Sequence, residues 1–398
     1  MRSSAAISEH LDTRTAGIEV AALLEKAMAG PTDVVFIFAS FHHRESFAEA
    51  IADIRQTLNP KIIIGATAES VVGCDLELEG VAGFSAIAMY LPGVDLTAWT
   101  TTPEKPLPLS APERIPQWIG LQDDTKANFF VGDPFSVPIT RLLPALTHCR
   151  GTGLPLPIIG GMASGASQAR YNRLILNDTL MKTGGIGLTM SGDINIDCIV
   201  SQGCRPIGSH LRVTKVDGNV VLELGGKPAV DVLHELAKNA TPHERKLLEG
   251  GLLLGGVIDE HKSHFGRGDF LVRSVLGIDK KRKGIAASEM YRLGKTVQFH
   301  VRDAQTAVED LQLLLDAQQL DTMPFAGLLV TCNGRGRNLF HQDDHDLTII
   351  RDRIGEVPIA GYFAAGEIGP IGGESFLHGH TACLTLFRQD VSKSLNRM

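Results

Sequence analysis

Gly361-Tyr362-Phe363-Ala364-Ala365-Gly366-Glu367-Ile368-Gly369-Pro370, continuing through His378-Gly379-His380-Thr381 to Phe387, is the stretch that decides the fold. It reads as a short buried strand, a glycine-rich bend holding one acid, and a second buried strand. Small residues packed so closely leave a concave surface with a few polar groups in it. Just upstream, Gly327 to Val330 reads as a strand and Thr331 to Arg337 as a loop. A helix then runs through Leu347, Ile350 and Ile354, and Val357 to Gly361 is the next strand. Apolar runs of strand length alternating with helically spaced apolar residues indicate parallel strands joined by crossover helices.

Two earlier stretches echo this order. Val34 to Phe38 and Ile62 to Gly65 are strands, with Phe47, Ala50, Ile51, Ile54 and Leu58 on one helix face between them. Asn128 to Val131 and Pro157 to Gly161 are strands around a helix that carries Leu142, Leu143 and Leu146, with Pro144 expected to kink it. The second strand ends at Gly65, Gly161 and Gly361, and the strand before it begins 31, 33 and 34 residues earlier. The strand after it begins at Gly83, Gly185 and Gly379, 18, 24 and 18 residues later. The bends repeat in chemistry as well: Ala-Thr-Ala-Glu-Ser, Met-Ala-Ser-Gly and Ala-Ala-Gly-Glu. This points to internal duplication, set against the plainer reading that any α/β protein alternates in this way.

From about residue 206 the texture changes. Val216-Asp217-Gly218-Asn219 is a hairpin signal between two strands, so this region is antiparallel or mixed. The expected fold is therefore α/β: two domains, 1–205 and 206–398, with mixed sheets built from repeated strand-helix-strand-bend-strand units flanked by helices.

A net charge of −7 with 43% hydrophobic and 21% charged residues argues against a nucleic-acid partner and suits a chain of two domains. There is no apolar run of membrane-spanning length, and Met1 to Thr15 lacks the apolar core of a signal peptide. The six cysteines are scattered without a C-x-x-C pair, which suits free thiols in a reducing cytoplasm.

The chain resembles the FIST proteins, which pair a FIST N domain with a FIST C domain. The N-terminal match lies in Ile64-Gly65-Ala66-Thr67-Ala68-Glu69 and Gly160-Gly161-Met162-Ala163-Ser164. The C-terminal match lies in Gln298 to Ala304, Cys332-Asn333-Gly334-Arg335-Gly336, Phe363 to Pro370 and Leu377 to Thr381. The resemblance spans about residues 18 to 388. It implies a small-ligand-binding sensory module, with amino acids as the expected ligand class. The family also occurs within an F-box protein, but no N-terminal segment here has the length of an F-box. No kinase, cyclase or methyl-accepting output region is visible, so signalling is expected to pass through a separate output protein.

The Cys332 to Arg337 loop follows a strand and precedes a helix, where α/β folds bind ligands. Its backbone N–H groups and the Arg335 guanidinium suit a carboxylate or phosphate, or else Arg335 is merely solvated. The loop lacks the Lys-Ser/Thr of a P-loop. Glu367, between two glycines, must be exposed in a cleft, paired with an arginine such as Arg335, or capping a turn. Glu69 is its counterpart in the first copy. His378 and His380, two apart, would share one face of a strand. His341 to Asp346 reads as a solvated helix start with acidic caps rather than a metal site. Cys332 is a structural thiol or a nucleophile served by Arg335, His378 and Glu367.

The expected ligand site is Cys332, Asn333, Gly334, Arg335, Gly366, Glu367, Gly369, His378 and Thr381, in a cleft of the C-terminal domain. Arg335 would take a ligand carboxylate, Glu367 an amine, and His378 a hydrogen bond. No cofactor or metal is expected, nor a membrane. A homodimer is one expected assembly. The alternatives are a thiol-dependent hydrolase or transferase using Cys332, and an interaction scaffold without a small ligand.

Overall fold

The computed structural model describes residues 1–151 and 153–390. The first strand, β1 (Arg2–Ser8), leads to helix α1 (Thr13–Met28), whose N-cap Asp12 accepts from the Thr15 N–H. The first copy of the repeat is β2 (Val34–Ser40), α2 (Phe47–Leu58), β3 (Ile62–Ala68), a short hairpin β4 (Val71–Gly73) and β5 (Leu76–Leu78), and β6 (Phe84–Tyr90). The second is preceded by β7 (Val94–Thr101) and α3 (Ile115–Ile119). It runs β8 (Thr125–Gly132), α4 (Ile139–Thr147), β9 (Ile158–Met162), hairpin β10 (Leu174–Leu176) and β11 (Thr179–Met181), and β12 (Gly185–Gly192), followed by β13 (Ile194–Gln202).

An insertion comes next: β14 (Cys204–Asp217), β15 (Val220–Leu224), β16 (Lys227–Pro228), α5 (Ala229–Asn239), α6 (Pro242–Glu249), β17 (Leu252–Val257), β18 (Phe270–Asp279), β19 (Gly284–Ala287) and β20 (Thr296–Arg302). After α7 (Ala304–Gln318) the third copy is β21 (Ala326–Cys332), α8 (Arg337–Phe340), α9 (His345–Ile354), β22 (Ile359–Ala364), hairpin β23 (Glu367–Ile371) and β24 (Glu374–His378), and β25 (Thr381–Gln389).

The three copies share one sheet plan. In each, the first two strands are parallel and the last is antiparallel to the first: β6-β2-β3, β12-β8-β9 and β25-β21-β22. Each hairpin then leaves its own copy. β4–β5 completes the third sheet beside β22, β10–β11 the first beside β3, and β23–β24 the second beside β9. The edge strands circulate the other way: β7 joins β12 and β13 joins β25, while β1 joins β6. The chain thus closes a three-membered ring of sheets, with β1 in the place of a strand that would follow β25.

Parallel strands covered on both faces must be apolar throughout, and β2 and β3 are buried at every residue. Alternate β2 side chains serve two cores. Val35, Ile37 and Ala39 pack with Val20, Leu24, Ile51 and Ile54 of α1 and α2. Phe36 and Phe38 face a central core that also takes Phe129 and Val131 of β8, Leu328 and Val330 of β21, and Tyr362 of β22. One face of all three sheets therefore meets in a common interior.

One glycine per copy is fixed by the parallel pair. A Cβ on Gly65, Gly160 or Gly361 would stand 1.8, 2.1 or 1.8 Å from the carbonyl oxygen of Ile37, Phe130 or Leu329 on the neighbouring strand. Each of these glycines is in register with that same residue. The repeat therefore aligns on Gly160, one residue before the Gly161 chosen from the sequence, because the steric constraint falls there.

By contacts the described chain forms two compact units: Met1–Val200 with Gln312–Leu377 and the chain from Thr381, and Ser201–Leu311 with His378–His380. The first holds the three copies. The second holds the seven-stranded sheet β14-β20-β17-β18-β19-β15-β16. The sequence division at 205/206 falls within β14, a continuous strand.

Candidate functional site

The residue four after each shared glycine is Glu69, Ser164 or Ala365, and all three line one cavity of about 710 Å3. The cavity lies at the carboxyl ends of the parallel strands, where open α/β sheets bind ligands. The three bends bond to one another in a ring: Phe363 N–H to Ser70 O at 3.0 Å, Gly165 N–H to Thr67 O at 3.3 Å, and Met162 N–H to Gly366 O at 2.8 Å. Ser164 Oγ sits within the ring, accepting from the Glu69 N–H at 2.9 Å and donating to the Phe363 carbonyl.

The rest of the lining comes from loops that follow strands of all three copies. Phe41 and Arg44 follow β2, Asn333 follows β21, and Ser167, Gln168 and Tyr171 lie beyond the bend of the second copy. Asn333 Nδ2 donates to Glu69 Oε2 at 2.5 Å, and Asn333 Oδ1 is buried without a donor. The Arg44 guanidinium stands over the Tyr171 ring at 5.2 Å, with its Nε on Glu45 at 2.8 Å. The lining thus offers a cation and an acid together with hydroxyls, amides and two exposed aromatic rings.

Of the sequence-predicted site, only Asn333 lines this cavity. Arg335 lies behind it, fully buried. Its Nε and Nη2 bond to Asp346 Oδ2 and Oδ1 at 2.9 and 2.8 Å, and Nη1 has no partner. The guanidinium therefore cannot take a solvent-borne carboxylate. Its partner belongs to the segment read as a solvated helix start, yet Asp346 is wholly buried. Burial opposes ionisation of Asp346, but Arg335 and the His345 hydrogen bond hold its carboxyl below the usual range.

Glu367 is likewise buried and opens β23, rather than sitting in the bend. Its Oε2 accepts from the Thr381 N–H at 3.2 Å and hydroxyl at 2.7 Å, while Oε1 has no donor. Burial pushes this carboxyl up to about 8, against the Thr381 bonds, the neighbouring Cys332 thiol and the Arg335 charge. In the register of the copies Glu367 corresponds to Val71, and Glu69 to Ala365, so Glu69 is not its counterpart.

Cys332 Sγ accepts from the Gly334 N–H at 3.4 Å in the turn closed by the Arg335 N–H to Cys332 carbonyl bond. The Gly366 carbonyl belongs to the ring of bends, and a Cβ at Gly369 would press on Val200, Cys383 and Cys198. Both glycines are set by packing. His378 ends β24 and is buried. His380 follows in a left-handed turn at φ 64°, so the two histidines do not share a strand face. His380 and His378 fall in the second unit, where His380 Nε2 is 3.4 Å from Ser274 Oγ.

The structure thus joins buried Arg335, Glu367 and Thr381 with the half-buried Cys332, next to Asn333 in sequence. Sequence reasoning missed Arg44, Ser164 and Tyr171 as cavity residues. The repeating bend chemistry was the available signal for Ser164, while Arg44 and Tyr171 stand in no motif.

No helix among the described residues is long and apolar enough to cross a membrane. A FIST N domain model matches residues 33–227 and a FIST C domain model residues 229–370. An uncharacterized protein of Mycobacterium tuberculosis is 36% identical over 396 residues, covering 97% of this chain and all of that protein. One of Mycobacterium bovis is 34% identical over 398 residues, covering 98% of this chain and all of the relative. A cyanuric acid hydrolase from A. caulinodans aligns over 98% of this chain and 99% of its own, at 8% identity and a TM-score of 0.38.

Proposed function

The chain belongs to the FIST family, whose domains are small-ligand sensory modules in signal transduction, and from that premise we propose that it binds an amino acid in the cavity where the three bends meet. Glu69 receives the ammonium group, with Asn333 holding its carboxylate in place. The outer nitrogens of Arg44 receive the carboxylate. Phe41 and Tyr171 cover the side chain. The observation that carries this reading is that Arg44 and Glu69 line one cavity together with hydroxyl and amide groups.

The buried Arg335–Asp346 pair and Glu367 act behind this site by fixing the turn that presents Asn333. Six cysteines outside any disulfide suit a cytoplasmic location. The occupied state is passed to a separate output protein or to a second copy of the chain.

Titration calorimetry of the full chain against the twenty amino acids tests the proposal. Binding of at least one, weakened about tenfold or more by Glu69→Gln and by Arg44→Ala, is the expected result. Binding unchanged in both variants overturns the placement.

A further inference from the structure

The first and third copies differ at the opposite ends of their strands. Arg55 stands ten residues before Gly65, and Arg351 ten residues before Gly361, each in the last turn of its copy's helix. Gly65 is in register with Ile175 of a donated hairpin, and Gly361 with Val72 of another. Two residues on, Asn177 and Cys74 both take left-handed turns, at φ 53° and 56°, and an aspartate follows each. Their N–H groups donate to Ile63 O at 2.8 Å and Ile359 O at 2.9 Å. The two corners are built alike.

In the first copy the corner is closed. Asn177 Oδ1 accepts from the Ile63 N–H at 3.0 Å and from Arg55 Nη2 at 3.3 Å, and Arg55 Nε is paired with Asp178 at 2.7 Å. In the third copy Cys74 replaces the asparagine, and a thiol is a poor acceptor. Arg351 and Asp75 form no ion pair or side-chain hydrogen bond among the described residues, and both line an open cavity of about 410 Å3. Ala5 and Pro358, both partly exposed, give it apolar surface, with Leu347 and Ile359 buried beneath.

We propose that this corner is a second ligand site, taking a small molecule with one carboxylate on a short hydrocarbon body. Arg351 receives the carboxylate as a two-pronged contact, and the apolar surface of Ala5 and Pro358 receives the hydrocarbon. Asp75 and Glu356 in the same lining oppose a doubly charged phosphate and so favour a monoanion. The site does not depend on the amino-acid cavity, with which it shares no lining residue.

Cys74 is exposed and lines the site, so its alkylation reports occupancy there alone. The test is the rate of Cys74 labelling by iodoacetamide at pH 8.5 in the full chain, read by peptide mass spectrometry with hexanoate and with hexanol. Protection by hexanoate at millimolar concentration is expected, absent with hexanol and at least about tenfold weaker in Arg351→Gln. Cys74→Asn, which restores the acceptor of the first copy, is expected to abolish hexanoate binding in calorimetry. No protection by hexanoate, equal protection by hexanol, or protection unchanged in Arg351→Gln overturns the proposal.

Discussion

Arg335 and Asp346 form a bidentate ion pair with side chains that are 0% and 1% exposed. The pair spans the turn after β21 and the first turn of α9, so it holds the loop that carries Asn333. Removing one partner leaves a buried charge uncompensated, which costs about 3–5 kcal/mol. Asp346→Asn is therefore expected to lower unfolding stability by that amount, read as a shift in the urea midpoint at constant slope. Replacing both by apolar residues, Arg335→Met with Asp346→Leu, is expected to cost less than Asp346→Asn alone.

Stability is expected to fall as pH rises from 6.5 to 8. Glu367 and Glu77 are each pushed up to about 8 by burial, with the Asp346 charge adding to the rise at Glu77. Both ionise near 4.5 when unfolded, so across this window the native state holds more protons than the unfolded state, and stability declines with pH. His43, His300 and His380 are lowered to about 4 by burial, and they make stability rise with pH only between about 4 and 6.5. Chemical unfolding at pH 6.5, 7.25 and 8 measures the slope, and Glu367→Gln is expected to remove up to about 1.4 kcal/mol per pH unit of it. An unchanged slope in that variant would show that Glu367 ionises normally.

The repeat was legible because strands buried on both faces read as unbroken apolar runs, as Val34 to Phe38 and Ile62 to Ile64 do. The hairpin exchange was not. Val71–Gly73 and Leu174–Leu176 are three residues each, too short to show a period, and their partners lie in other copies. Burial of charge misled in the same way. Arg335 and Asp346 look like surface residues one at a time, and only their mutual pairing lets both enter the interior.

Gly361→Ala is expected to destabilise the chain by more than about 3 kcal/mol, because the new methyl would stand 1.8 Å from a backbone oxygen that no rotamer change can move. Gly65→Ala should behave alike, since the same carbonyl geometry recurs at Ile37. Gly277→Ala, with nothing within 4 Å and no positive φ, is the control and should stay within about 0.5 kcal/mol of the parent. Thermal and urea unfolding of the three variants compare them directly.

Ser164→Ala separates the pocket's architecture from its ligand contacts. The hydroxyl bonds the Glu69 N–H of one copy and the Phe363 carbonyl of another. Its loss leaves two backbone groups without their partner at the meeting point of the bends, a cost of about 1–3 kcal/mol. Amino-acid binding should weaken with it, because the Glu69 backbone is no longer held where Asn333 can reach its carboxylate. Ser164→Thr keeps the oxygen and should retain binding wherever the added methyl fits toward the cavity. A Ser164→Ala chain that loses stability yet binds with undiminished affinity would separate Glu69 from the ligand and return the search to the other walls of the cavity.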